Sequence, residues 1–125
     1  MEPVNLFELA SKQSQWLAVR QSAVAGNIAN ANTPGYVAND VEPFEKVLDR
    51  TSVQMSATQS GHLSGATEAD YAVKPQEFTG AVMPSKNTVV LESELMKAGE
   101  IRRSFELNTA IVKAFHAMML SAVKG

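Results

Sequence analysis

The sequence predicts a mainly α fold in which two long terminal amphipathic helices pair as an antiparallel coiled coil around an irregular polar middle. Apolar residues recur at three- and four-residue steps near both ends of the chain, and the middle has no sustained period. Of the 125 residues, 45% are hydrophobic but only 6% are aromatic, so small side chains fill most of the apolar quota. We therefore divide the chain into a helix and turn over residues 1–36, a variable middle segment over 37–87 and a C-terminal coiled-coil helix over 88–125.

The first helix is predicted over residues 5–31. Asn5 is a suitable N-cap, and Glu8 stands three residues later in an arrangement that resembles a capping box. Pro34 ends the run, because the residue before a proline is pushed out of the α region. The residues expected to pack against a partner helix share one face: Leu6, Leu9, Leu17, Val24 and Ile28.

The middle segment is predicted to be short of regular structure. Residues 44–48 are expected to form a short helical turn, and residues 51–67, rich in Ser, Thr, Gln and Gly, a loop or a disordered stretch. Two apolar stretches, 71–73 and 78–83, are short enough for edge strands or a loose β-hairpin. We expect this segment to be partly disordered in the free chain.

The second helix is predicted over residues 88–123, with Asn87 or Thr88 as its cap. A helix of this length is about 50 Å long at 1.5 Å per residue, too long for a compact domain of this size. Its apolar stripe must therefore pack in a coiled pair or against neighbouring subunits. The packing residues expected on it are Leu91, Leu95, Phe105, Val112, Phe115 and Met119.

Composition argues against enzyme chemistry and nucleic-acid binding. The net charge of −2 lacks the basic face that contacts with phosphates require. The chain has no cysteine, and His62 and His116 have no second ligand at metal-binding spacing. No glycine-rich phosphate loop is present. We expect no metal, no cofactor, no small-molecule substrate and no catalytic residue.

The most informative stretch is Asn27-Ile-Ala-Asn-Ala-Asn-Thr-Pro-Gly-Tyr36. Pro34 presets φ at the second position of a type II turn, and Gly35 accepts the positive φ that the third position requires. Asparagines bond readily to backbone groups at a helix end. Three of them before the turn are more than a helix stop requires.

This stretch resembles the N-terminal signature of the flagellar rod and hook proteins, L-A-x-N-I-A-N-x-x-T-P-G-Y, with Val24-Ala-Gly in place of the usual start. The short chain is most similar to the proximal-rod members. Residues 87–94 resemble the family's N-x-V-D-L-x-x-E stretch, but Val90 replaces a common aspartate and Lys86 precedes it where a glycine is common. The resemblance implies that the assembly residues are Asn27, Ile28, Asn30, Thr33, Pro34, Gly35 and Tyr36.

The resemblance further implies a structural subunit that polymerises through its terminal helices into a hollow periplasmic rod, which transmits torque and lines the export channel. The implied partners are further copies of this chain, other rod proteins, the membrane-ring adaptor at the base and the flagellar type III export gate. Such subunits are exported without signal cleavage, in keeping with the polar N-terminus here. Phe44 and Leu48 fit a loose export-gate pattern, and equally a core-facing helical pair.

Two alternatives remain open from the residues. One is another proximal-rod subunit of the same family. The other, from a different class, is a cytoplasmic helical secretion chaperone or adaptor, which would form a stable soluble dimer and has no need of the turn at residues 33–36. A rod subunit, in contrast, is expected to gain helix on polymerising, because its two apolar stripes have few partners within one chain.

Overall fold

A computed structural model describes residues 5–55, 71–76 and 84–125. Over these residues the chain is mainly helical, with a small two-stranded sheet, so the predicted fold class is confirmed. The elements are α1 (Asn5–Ala29), β1 (Asn39–Val41), α2 (Phe44–Met55), β2 (Val73–Pro75) and α3 (Leu91–Lys124).

The two long helices, α1 of 25 residues and α3 of 34, run antiparallel. Asn27 in the last turn of α1 bonds to Glu94 in the first turn of α3. At the other end of the pair, the rings of Phe7 and Phe115 meet edge to face, with 5.3 Å between their centroids. The core between these ends consists of Leu17, Val24 and Ile101, packed against Trp16, Ile28, Ala98 and Phe105.

The predicted cap of α3 is wrong. The helix begins at Leu91, and Val90 is its N-cap residue, in an extended conformation and with no side-chain hydrogen bond to the first turn. Asn87 and Thr88 do not cap because their side chains bond instead to the turn after α1 and to the amide of Ala38. A tertiary contact has taken the polar groups that local pattern assigns to the helix.

The helical turn predicted at residues 44–48 is the start of a 12-residue helix, α2, so the loop predicted from residue 51 is wrong over 51–55. The rest of that stretch lies outside the described residues. Serine and threonine favour turns over helix interiors, which explains the prediction. Packing overrides this preference at the start of α2, where Val47 is buried and the ring of Phe44 lies 5.6 Å from that of Trp16.

The small sheet joins segments that the sequence does not pair. β1 and β2 are antiparallel, with Asn39 opposite Pro75 and Val41 opposite Val73. Residue 73 lies in a strand, as the sequence predicts. Its partner strand, β1, comes before α2 in the chain, so the sheet is not a hairpin between neighbouring segments. The other proposed strand, 78–83, lies outside the described residues. Three-residue strands are too short for alternation to reveal them.

The predicted packing residues divide by exposure. Leu17 and Val24 are buried in the helix pair, and Leu6, Ile28, Phe105, Val112 and Phe115 are partly buried. Four others are exposed within the chain: Leu9, Leu91, Leu95 and Met119. Leu95, 56% exposed, does not face α1, because α3 turns Glu94 and Ala98 to the helix pair and successive residues point about 100° apart.

Among the described residues, no helix has the length and apolar content to cross a membrane.

Candidate functional site

The turn that follows α1 has the predicted geometry. The amide of Tyr36 donates to the carbonyl of Thr33 at 3.3 Å, and Gly35 has φ of +75°. Because Pro34 holds a negative φ at the second position, a positive φ at the third defines a type II turn. A Cβ atom at residue 35 would meet nothing within 4 Å, so the backbone conformation, not crowding around the Cβ position, demands glycine there.

Asn27 is the centre of the site, with 0% of its surface exposed. Its side-chain amide donates to the carbonyl of Asn39 at 2.7 Å and to Oε2 of Glu94 at 3.0 Å. Its Oδ1 accepts from the amide of Asn39 at 2.9 Å and from the hydroxyl of Tyr36 at 3.4 Å. One side chain thus joins α1, the turn, β1 and α3.

The other two asparagines of the signature have different surroundings. Asn30 donates from Nδ2 to the carbonyl of Gly26 at 2.8 Å and accepts from the hydroxyl of Thr33 at 3.1 Å. It therefore closes the C-terminal end of α1 locally. Asn32 is exposed. Of the three, only Asn27 reaches α3.

Asn87 holds the turn from the opposite side and is only 4% exposed. Its Nδ2 lies 2.8 to 3.0 Å from the carbonyls of Asn30, Ala31 and Thr33, so its two hydrogens are shared among three acceptors. Its Oδ1 accepts from the amide of Val89 at 2.8 Å. All three carbonyls lie in the turn that follows α1, where those of Asn30 and Thr33 also accept a backbone amide, and Asn87 adds a donor from the segment before α3.

The segment before α3 lies along the turn. The amide of Gly35 donates to the carbonyl of Ser85 at 2.8 Å, and the amide of Thr88 donates to the carbonyl of Tyr36 at 3.0 Å. Between Ser85 and Thr88, Lys86 has a φ of 58°, in the left-handed region that residues with a Cβ seldom adopt. Lysine stands here where the resembling family commonly has glycine, so the departure has a backbone cost.

A chain of charged groups continues from the buried carboxylate of Glu94, which is 1% exposed. Its Oε1 lies 3.3 Å from Nζ of Lys97, and the same Nζ lies 3.4 Å from Oδ2 of Asp40. Arg20 contacts the other oxygen of Asp40 at 3.4 Å and Glu100 at 3.8 Å. Negative and positive side chains alternate along this series of ion pairs, and their attraction offsets the cost of burying Glu94.

The structure brings most of the predicted signature together around Asn27: Asn30, Thr33, Gly35 and Tyr36 bond within the turn or to the segment before α3. Pro34 is exposed, and Ile28 packs in the core instead. Sequence reasoning missed Asn39, Asp40, Lys97 and the burial of Glu94. The available signal for Glu94 was its position in the N-x-V-D-L-x-x-E stretch.

The buried polar side chains of this site, those of Asn27, Asn87 and Glu94, hold separate elements together. Asn27 and Asn87 each engage donors and acceptors on both sides of the turn. Over the described ranges, no group of three or more His, Asp or Glu side chains is placed to hold a metal ion. The arrangement binds the chain to itself, and it defines a structural helical protein whose signature turn fastens a terminal helix pair.

Comparison with known proteins gives the same class. The family described as flagella basal body rod protein matches residues 15–36, the second half of α1 and the turn. A curated relative from Agrobacterium fabrum, named flagellar basal body rod protein FlgB, is 48% identical over 129 residues, covering 99% of this chain and 96% of the relative. A relative of the same name from Borrelia hermsii is 29% identical over 135 residues, covering 96% of this chain and 98% of the relative.

The chain belongs to the FlgB family of flagellar basal body rod proteins. It is a structural subunit of the basal-body rod, and the family is not known for an enzyme activity. The two alternatives, another proximal-rod subunit and a secretion chaperone, are not favoured by these relatives.

Proposed function

We propose that this subunit polymerises through its terminal helices, that the resulting rod transmits torque across the periplasm, and that the helices line the export channel. The observation that carries the proposal is a second apolar face on α3, directed away from α1. A helix that packs against a single partner needs one apolar stripe. A second stripe is typical of a helix surrounded by neighbours.

The second face follows from the spacing of exposed residues on α3. Leu107, Ile111 and Met118 are separated by four and seven residues, steps that return to one side of an α-helix. Ile101, at the centre of the buried side, lies on the opposite half of the helix. Two apolar sides on one helix allow contact with α1 and with another subunit at once.

The C-terminal end of α3 exposes further apolar side chains, on more than one side of the helix. Phe115 lies opposite Phe7, and the described part of α1 begins at Asn5, so α3 continues for roughly two turns beyond it. Met118, Leu120 and Val123 are exposed on these turns, the last of them at 85%. Apolar surface of this kind marks an interaction site.

We further propose the partners and route that the family resemblance implies: other rod proteins, the membrane-ring adaptor and the export gate, reached without signal cleavage. Phe44 and Leu48, the residues of the gate pattern, are partly buried, and Phe44 packs on Trp16. A gate can read them only in an unfolded chain. Binding of the gate to unfolded but not to folded subunit would be the corresponding measurement.

The assembly proposal is tested with Leu107→Asp and Met118→Asp, which place a charge on the second face without touching the core. Thr109→Asp is the matched control, since residue 109 is exposed on α3 but off that face. We expect both face variants to keep the helical circular dichroism of the parent and to lose incorporation into basal bodies and swimming motility. The control should keep both functions. Normal motility in both face variants would refute the proposal.

A further inference from the structure

The side of α3 that faces α1 repeats every seven residues, and it alternates polar with apolar side chains. The positions are Glu94, Ile101, Asn108 and Phe115. Glu94, Ile101 and Asn108 are all buried. An apolar seam needs neither a carboxylate nor an amide at its centre, and both are costly to bury unless bonded.

Each polar residue has a partner at a fixed place on α1. Asn108, 8% exposed, donates from Nδ2 to the carbonyl of Ala10 at 3.0 Å and to the hydroxyl of Ser14 at 2.8 Å. Glu94 accepts from Asn27 at 3.0 Å. The two contacts lie near opposite ends of α1, so both are satisfied in one alignment of the helices.

The apolar contacts do not define that alignment by themselves. The buried apolar residues of α1, Ala10, Leu17 and Val24, also recur every seven residues. Two surfaces with the same repeat can slide by seven residues, about 10 Å, and bring similar groups together again. A slide in one direction puts Asn108 in the place of Phe115, against Phe7, and a slide in the other puts Ile101 in the place of Glu94, against Asn27.

We propose that Glu94 and Asn108 are positioning residues that set the register in which α3 pairs with α1. They make the displaced alignments unfavourable, because each displacement leaves a buried polar group without its bond. The inference rests on contacts within one chain and does not depend on the proposed assembly. Any interface built on the second face of α3 inherits the register so set.

The test uses the full chain, which has no cysteine of its own. Ala98→Cys on α3 is combined in turn with Ala25→Cys, Ala18→Cys or Asn32→Cys. Residues 25 and 98 line the same groove between the helices, and the exposed positions 18 and 32 lie seven residues to either side of 25. A disulfide needs Cα atoms within about 7 Å, so each pair reports one register.

In the parent chain we expect the intramolecular disulfide of the 25–98 pair to form about tenfold faster than that of either displaced pair. In Glu94→Leu/Asn108→Leu, the difference should shrink to about twofold, because the apolar repeat then accepts all three alignments. Glu92→Leu/Thr109→Leu, the same type of change at exposed positions of α3, should retain the tenfold preference.

Retention of the parent preference in Glu94→Leu/Asn108→Leu would overturn the proposal and assign the register to the turn alone. If that variant loses its helical circular dichroism, Asn108→Leu by itself decides, since it removes the amide and leaves the Glu94 carboxylate with its partners Asn27 and Lys97. A clear reduction of the preference there supports the proposal, and an unchanged preference overturns it. Glu94→Gln keeps an acceptor for Asn27 and should restore the preference that Glu94→Leu weakens.

Discussion

The two ends of the helix pair are built differently. At one end, which we call the closed end, Asn27, Asn87 and Glu94 bond the turn after α1 to the start of α3, and all three are buried. At the other, the open end, α3 runs beyond Phe115 with Met118 and Val123 exposed. Polar groups are satisfied within the chain at the closed end, and apolar groups are left uncovered at the open end.

The difference separates two tasks within one pair of helices. The closed end uses directional bonds, which are specific to one geometry and lose most of their value when displaced. The open end uses apolar surface, which accepts any partner of suitable shape. Substitutions at the closed end should therefore change the stability of the chain, and those at the open end should change its association.

The largest effect is expected from Asn27→Ala. The change removes four hydrogen bonds of a buried side chain and leaves the backbone of Asn39 and one oxygen of Glu94 without their partner. We expect the free energy of unfolding to fall by about 3 kcal/mol. Urea denaturation followed by circular dichroism measures it.

Two control variants test whether this loss of stability is specific to Asn27. Asn32→Ala alters an exposed asparagine of the same signature, and Met118→Ala alters the open end. Both should stay within about 0.5 kcal/mol of the parent. A loss at residue 118 as large as that at residue 27 would remove the distinction between the ends.

The next effect is expected from Gly35→Val, which places a β-branched residue at φ of +75° in the turn. With open space around residue 35, the whole cost is backbone strain, about 2 kcal/mol. Gly35→Asn is the matched variant, because asparagine tolerates the left-handed region and should recover most of the loss. Equal destabilisation by valine and asparagine would show that something other than backbone conformation is at work.

A gain of about 1 kcal/mol is expected from Val90→Asp. Val90 accepts the first bond of α3 at its carbonyl but offers no side-chain cap, and aspartate supplies one. The reference is Val90→Ala, which removes the valine without adding a cap. The midpoint of urea denaturation should rank aspartate above alanine, and the reverse order would exclude capping at this position.

The smallest effect is expected from Lys86→Gly. Glycine relieves the backbone strain at φ of 58° but raises the conformational entropy of the unfolded chain. We therefore expect the free energy of unfolding to rise by only about 0.5 kcal/mol. Ser85→Gly, one residue earlier and without a positive φ, should only destabilise. Thermal denaturation distinguishes the two variants. A loss of stability in both would show that Lys86 is not strained in the folded chain.

Much of the fold was predictable from local pattern. The periods of the two helices and the positive φ at Gly35 depend on neighbouring residues, and the structure confirms them. The end of the first helix was predicted at residue 31, whereas α1 ends at Ala29, where Asn30 bonds back to Gly26. The cap of α3 was mispredicted, because Asn87 bonds to carbonyls 54 to 57 residues away. The length of α2 was missed, since the Phe44–Trp16 contact that anchors its start is not local.

The sequence by itself determined that the chain is helical at both ends and carries a flagellar rod signature. Only the tertiary structure decided which polar residues lie inside. Glu94 and Asn108 look like solvent-facing positions along the chain, yet both are buried against α1. The reason is that a polar group can be buried at low cost only where a hydrogen-bond partner lies across the interface. Which partner lies there depends on how distant segments of the chain pair.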